Sequence, residues 1–365
     1  MKIVQLSSVH PPFDTRIFHK ECKTLAQVNY KVVFVVQHDK NEEVDGIQIK
    51  ALSKPLNRLQ RMIHTTWQAY QLAIKENAHS YHFHDPELIP MGLIFKLQGK
   101  RVIYDVHEDV PRQILNKDYI PIPIRYLVSW LVGRLENLAA RHFDAIVAAT
   151  PFIKHRFDKL GCYSINVNNY PIQNELYLPQ LDWSKKESAV CYVGGITDIR
   201  GIFEMIEAIG QTDAKLLLAG KFSSASQRSQ AMEMPGWTSV KELGQLNRRE
   251  VAQILRKSVA GLVLFHPQPN HINAQPNKMF EYMSAGIPII ASNFPLWQEI
   301  IEENQCGICV DPLNPQAIAE AIQWFLEHPD EAKRMGENGR KAVEEKYNWE
   351  AEAEKLRSLY SKLLS

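Results

Sequence analysis

The chain has 365 residues, 45% of them apolar and 23% charged, with a formal net charge of +1. That length exceeds one ordinary hydrophobic core, so two domains are expected. A balance so near neutral gives no general electrostatic case for nucleic acid, and no apolar run approaches the ~18 residues of a spanning helix.

The chain opens on the strand-like run Met1-Lys2-Ile3-Val4-Gln5-Leu6 with no cleavable apolar segment, so a cytoplasmic protein is expected. Short apolar runs then alternate with amphipathic stretches, the signature of parallel sheets with crossover helices. Strands are predicted at residues 3–6, 31–36, 81–83, 101–104 and 145–148, and helices at 16–28, 59–77, 89–98 and 124–141. The last is interrupted by Arg125, Arg134 and Glu136, and reads as a packed helix in preference to a membrane-surface one. Residues 174–188 turn polar and contain Pro, marking a linker. A second unit follows, with strands at 189–193, 215–219, 261–264 and 288–291 and helices at 201–209 and 248–257. Cys306-Gly307-Ile308-Cys309 has redox spacing but runs into Val310 as a strand does, and a structural role is favoured. Residues 349–364 form a charged amphipathic helix.

Charge is unevenly divided. Residues 1–175 carry 22 Lys and Arg against 17 Asp and Glu, and ten of the 13 His. A basic N-terminal half suits anionic lipid or a pyrophosphate-bearing acceptor, although an excess of five is also ordinary variation.

Open α/β sheets bind ligands at the carboxyl ends of their strands, so the loops after Leu6, Phe83, Tyr104, Val193, Ala219 and Leu264 are the places to look. The richest segment is Pro276 to Ala291: a helix stopped by Gly286, then a buried strand led by Pro288. Lys278 and Glu281, three apart, project from one side near the helix start. A cation and a carboxylate beside that positive end suit a nucleoside diphosphate, Lys for phosphate and Glu for ribose hydroxyls. The bland alternative is a surface ion pair.

Residues 281–291, E-Y-M-S-A-G-I-P-I-I-A, resemble the E-A-M-A-x-G-x-P-V-V-A signature of glycosyltransferase family 4. The H-P-P-F-D-T-R-I-F-H-K-E run, His82-Phe83-His84-Asp85, Tyr104-Asp105-Val106-His107-Glu108 and Tyr192-Val193-Gly194-Gly195 through Arg200-Gly201 match further stretches in the family's order. The wording also resembles bacterial and cyanobacterial enzymes that build exopolysaccharide, heterocyst-envelope polysaccharide among them. The resemblance implies a GT-B fold, with two Rossmann-like doubly wound parallel-sheet domains facing a deep cleft. Residues 1–175 form the acceptor-side domain, 176–348 the nucleotide-sugar domain, and 349–365 a helix crossing back. It implies retaining hexosyl transfer, UDP-glucose or another UDP-sugar being the expected donor, to a glycan or lipid-linked acceptor. The enzyme would then be cytoplasmic, with peripheral contact at the inner face of the plasma membrane through the N-terminal domain.

By the same resemblance, His107 lies near the donor sugar's 6-hydroxyl and reacting carbon, and Arg200 with Lys278 brackets the diphosphate. Gly194, Gly195, Gly220, Leu246, Asn273, Ala274, Gln275, Asn277 and Glu281 bind the donor, Leu246 meeting the base through its backbone. The chain departs from the pattern at Gly195, where an Arg is usual, and at Asn273, where a Glu is usual. Phe13-Asp14-Thr15-Arg16 replaces the glycines of the first loop, so Thr15 and Arg16 are expected to contact an anionic donor or acceptor by side chain; Arg16 as an exposed helix residue is the alternative. His84 and Asp85 either orient an acceptor hydroxyl or form a turn whose Asp caps the next helix. No D-x-D motif or metal-ligand spacing is present, so neither metal nor cofactor is expected. Two other readings stay open: a non-hydrolysing nucleotide-sugar epimerase, and a degenerate partner subunit that binds nucleotide sugar without transfer.

Overall fold

The structure, a computed structural model, describes residues 1–115, 117, 120–177 and 182–365. Residues 178–181 of the expected linker lie outside that set. The chain divides into two compact units, one of Met1–Asn169 with Glu350–Ser365 and one of Tyr170–Trp349.

Unit 1 is built on strands β1 (Lys2–Leu6), β2 (Lys31–Gln37), β3 (Glu42–Val44), β4 (Ile47–Leu52), β5 (Ser80–Phe83), β6 (Arg101–Val106), β7 (Ala145–Ala148) and β8 (Ser164–Asn166). Their order is β3-β4-β2-β1-β5-β6-β7-β8, with every pairing parallel except β3 with β4. A parallel sheet is covered on both faces, which is why β2 reads as the continuous apolar run K-V-V-F-V-V-Q. The unexpected β3–β4 hairpin turns at Asp45-Gly46, whose φ values of 53° and 77° suit a two-residue turn of this kind. From Glu350 onward the C-terminal helix (Trp349–Leu364) completes this unit, burying Leu356, Leu359 and Tyr360.

Unit 2 carries β9 (Ala189–Val193), β10 (Lys215–Ala219), β11 (Val240–Gly244), β12 (Ala260–Val263), β13 (Ile289–Ser292) and β14 (Gly307–Val310). The order is β11-β10-β9-β12-β13-β14, all parallel. One face packs on Met279, Phe280, Tyr282 and Trp297, the other on Ile202, Met205, Ile206 and Phe325. Leu176, inside the expected linker, and Tyr170 before it sit in the first of these clusters. Cys306 and Cys309 are free, and burial pushes both thiols up to about 12, as a structural role requires.

In each sheet the crossover direction reverses once, between β1 and β5 and between β9 and β12. A crevice opens at the carboxyl ends of the strands flanking such a point. The loops there begin at Ser7 and His84 in unit 1 and at Gly194 and Leu264 in unit 2.

The helix Ile122–Ala140 departs from expectation. It buries Glu136, Ala139 and Ala140 but exposes Ile122, Ile124, Tyr126, Leu127, Trp130, Leu131, Leu135 and Leu138. Among the described residues, no helix is long and apolar enough to cross a membrane.

Candidate active site

In unit 2 the chain leaves β9 through Gly194, at φ 135°, and Gly195. Behind them stands Gly220, at φ 144°, where a Cβ would lie 1.8 Å from the Gly194 carbonyl oxygen, so only glycine lets the two loops meet. A Cβ on Gly194 would sit 3.2 Å from Lys278 Nζ, and one on Gly195 2.8 Å from Arg200 Nη1. The two cations therefore flank the Gly194-Gly195 turn. Arg200 donates through Nη1 to the Gly195 carbonyl at 3.2 Å, and Tyr192 Oη donates to the same oxygen at 2.7 Å.

Lys278 stands in the first turn of the helix Asn277–Ser284. Its ammonium is buried without a hydrogen-bond partner among the described residues, 3.6 Å from the Tyr192 ring centroid and 5.3 Å from that of Phe265. Two aromatic faces are partial compensation for a cation. Burial, then the neighbouring charge of Arg200, pushes the amine well below the ordinary lysine range. An ion so placed costs several kcal/mol until an anion joins it.

Glu281, one turn on, is not the partner of Lys278. Its Oε1 accepts from Arg248 Nη1 at 2.9 Å, and Arg248 grips Glu175 in a fork, Nε to Oε1 at 2.9 Å and Nη2 to Oε2 at 2.7 Å. Burial opposes the charge of Arg248, but the two carboxylates raise its pKa above the usual value. Arg248 opens the helix Arg248–Lys257 behind a capping box of Asn247 and Glu250. The box marks that helix start in the sequence, whereas Glu175, 73 residues upstream, gives no local sign of its part.

Of the other residues expected to bind the donor, Asn273, Ala274 and Gln275 lead into the helix Asn277–Ser284, which Asn277 opens, and Leu246 precedes the helix Arg248–Lys257. Ala274 N–H donates to the His271 carbonyl and its own carbonyl accepts from Trp297 Nε1 at 2.7 Å. Gln275 Oε1 accepts from Tyr170 Oη at 3.4 Å. Asn273 is partly buried, Asn277 is exposed, and Leu246 packs at the edge of the core.

Unit 1 gathers a different set. Arg16 is 3% exposed and donates to both oxygens of the buried Asp105, with Nη2 to Oδ1 at 2.9 Å, and through Nη1 to the Val167 carbonyl at 2.8 Å. Its Nε lies 2.9 Å from Glu21 Oε1, a charge contact made where the backbone widens into i→i+5 turns over Ile17–Cys22. The expectation that Arg16 meets a bound anion is corrected: it is locked in the core because Asp105, on β6, lands opposite. Thr15 beside it is half-buried.

Asp105 also lies 3.3 Å from His84 Nδ1 and 3.3 Å from His107 Nε2. Burial would raise its pKa, but Arg16 and then His107 hold it well below the carboxylate range. Glu21 goes the other way: burial, then the charge of Asp105, pushes it well above the carboxylate range. His84 places Nε2 2.7 Å from Gln5 Oε1. Burial lowers its pKa to about 4. It is therefore neutral and enclosed, and the reading of His84 as a group meeting an acceptor hydroxyl is corrected.

Asp85 is no helix cap either. Its Oδ2 accepts from Ser7 Oγ at 2.8 Å and from Ser8 N–H at 2.7 Å, pinning the loop after β1. His107, partly exposed beside the tilted ring of His10, is the member of this set that reaches the surface of the loops.

Glu21, His82, His84 and Asp105 also offer ligand atoms within 4.8 Å of one another. Sequence spacing hid this because the four come from three elements. The guanidinium of Arg16, 2.9 Å from both Glu21 and Asp105, already supplies positive charge beside this group.

A model of "Glycosyltransferase Family 4" matches residues 15–167 and one of "Glycosyl transferases group 1" matches residues 173–342. The chain belongs to the family 4 glycosyltransferases. This glycosyltransferase is 26% identical over 288 residues to D-rhamnosyltransferase WbpZ of Pseudomonas aeruginosa, 74% of this chain and 70% of the relative. It is 22% identical over 298 residues to O-antigen chain mannosyltransferase C of Escherichia coli, covering 78% and 75%. Among solved structures it resembles sucrose-phosphate synthase from Thermosynechococcus elongatus, with TM-score 0.82, 20% identity and coverage of 99% and 98%. It also resembles HepE of Anabaena in complex with UDP, with TM-score 0.76, 16% identity and coverage of 99% and 100%. These structural likenesses carry the two-domain α/β fold expected for the glycosyltransferase.

Proposed function

We propose that the glycosyltransferase moves a hexose from a UDP-sugar, UDP-glucose foremost, to a glycan or lipid-linked acceptor in exopolysaccharide assembly, with retention and with no metal on the diphosphate. The observation that carries the reading is the buried, unpartnered Lys278 ammonium beside Arg200 at the Gly194-Gly195 turn. A leaving diphosphate needs such pre-placed positive charge. Lys278 and Arg200 would supply it, and the glycines leave room for the phosphates against the backbone. Arg200 takes up one of the two usual cation positions, and Lys278 compensates for the residue missing at Gly195. Glu281 offers Oε2 to the ribose hydroxyls while Arg248 occupies Oε1.

The residues of the site include no group placed as a nucleophile, so the reaction is written as attack of the acceptor hydroxyl on the leaving group's side. The acceptor O–C1 bond forms as the C1–O bond to phosphate breaks, and the acceptor proton passes to the departing phosphate oxygen. His107 is assigned to the donor sugar. A uridine donor is supported by HepE, whose structures hold UDP, UDP with glucose, and UDP-glucose; a surface-polysaccharide pathway is supported by the O-antigen relative.

The apolar face of the helix Ile122–Ala140, with Arg125 and Arg134 among its side chains, suits the interfacial region of an anionic bilayer. Flotation with vesicles, with and without phosphatidylglycerol, tests that contact, and the double change Trp130→Ser, Leu131→Ser should abolish it. Calorimetric titration with UDP, GDP and ADP, then with the matching sugar donors, tests the function itself. Micromolar binding of UDP alone is expected; no binding of any nucleotide would overturn the transferase reading.

A further inference from the structure

Arg248 is used by no step above, yet it spends all three of its guanidinium nitrogens on two carboxylates. A surface arginine in a single ion pair contributes little. This one is different in geometry: the fork to Glu175 fixes the plane of the guanidinium, and the fixed plane leaves Nη1 directed at Glu281 Oε1. The Glu281 carboxylate is thereby turned about its own axis to one orientation. Charge adds a second reason. Glu281 belongs to the same helix start as Lys278, where a diphosphate is to sit, and a bare carboxylate there would repel it. A guanidinium on Oε1 offsets that charge and leaves Oε2 as an acceptor.

We infer that Arg248 is a positioning residue for ribose recognition, and that Glu175 is the anchor that orients it. The inference rests on the assignment of Glu281 to the ribose hydroxyls. Arg248 acts through Glu281, so its removal should cost recognition of the hydroxyls and not of the phosphates. Lysine cannot replace it, because a single ammonium does not reproduce a fork to one carboxylate and a bond to another.

The test is the ratio of the dissociation constant for 2′,3′-dideoxyuridine diphosphate to that for UDP, by calorimetry on the full chain. One charge-assisted bond from a ribose hydroxyl to Oε2 predicts a ratio of about 30 in the wild type. Arg248→Gln should bring the ratio to about 3 or below, as Glu281→Ala does, while the dideoxy affinity changes less than about twofold. Glu175→Gln and Arg248→Lys should fall between, and serve if Arg248→Gln fails to fold. A residue that merely anchors the helix Arg248–Lys257 would weaken both ligands together and leave the ratio unchanged. That result, with a wild-type ratio above ten, overturns the inference alone. A wild-type ratio near one overturns the ribose role of Glu281 first, and the inference with it.

Discussion

The two strand-end clusters solve the problem of buried charge in opposite ways. In unit 1, Arg16, Asp105, Glu21 and His84 meet one another: a guanidinium spans a carboxylate, burial and that carboxylate raise the pKa of a second carboxyl, and an imidazole stays neutral. In unit 2, Lys278 is left without a hydrogen-bond partner among the described residues, while the carboxylate one turn away is committed to Arg248. A closed cluster is a framework that fixes shape. A cation kept from its nearest carboxylate is a vacancy for an anion, and its cost is recovered when the ligand arrives.

The contrast can be broken most forcefully at Arg16. Arg16→Met should leave Asp105 buried and unpaired, destabilising unit 1 by about 3–5 kcal/mol in urea unfolding. A loss below about 1 kcal/mol would mean that the cluster is not closed by the guanidinium. Lys278→Met should act in the opposite direction on the fold, raising the melting temperature because a buried amine without a hydrogen-bond partner among the described residues is removed. The same change should weaken UDP binding by about 100-fold, as expected for a lost charge-assisted bond to phosphate. Equal or higher affinity in that variant would show that Lys278 is structural. Glu281→Ala should weaken UDP by about 30-fold, and unchanged affinity would remove the ribose role.

A further test is a titration. His84 has a folded value of about 4 against 6.5 for the free group. Its contribution to stability is complete above pH 6.5 and is lost as the pH falls towards 4, on the order of 3 kcal/mol in all. Imidazole nitrogen NMR should therefore show His84 neutral at pH 5, and a charged ring there would contradict the enclosed cluster.

How much of this was legible differs between fold and site. The parallel core strands and most crossover helices follow from apolar runs and their spacing, because burial on both faces of a sheet is a local pattern. The β3–β4 hairpin was missed although Asp45-Gly46 is a turn signal; its strands are short and their polar alternation resembles loop sequence. Lys278 and the glycine turns were legible because they lie in contiguous motifs. Arg16 was not: its environment depends on Asp105, 89 residues away, and on the widened turns that bring Glu21 beside it. Arg248 was read only as the start of a helix, since Glu175 and Glu281 converge on it from distant segments. The helix Ile122–Ala140 shows the converse limit: an apolar composition does not say whether protein covers it.

The most direct test of the unpaired cation is proton uptake on UDP binding, measured as the dependence of binding enthalpy on the ionisation enthalpy of the buffer. Lys278 begins well below the ordinary amine value, and a bound diphosphate raises it. Between those two values the wild type should take up protons as UDP binds, with affinity falling as the pH rises. Lys278→Met should lose that uptake. Equal uptake in the two proteins, or none in the wild type at any pH up to about 10, would contradict the account, for Lys278 would then not be the group that receives the diphosphate.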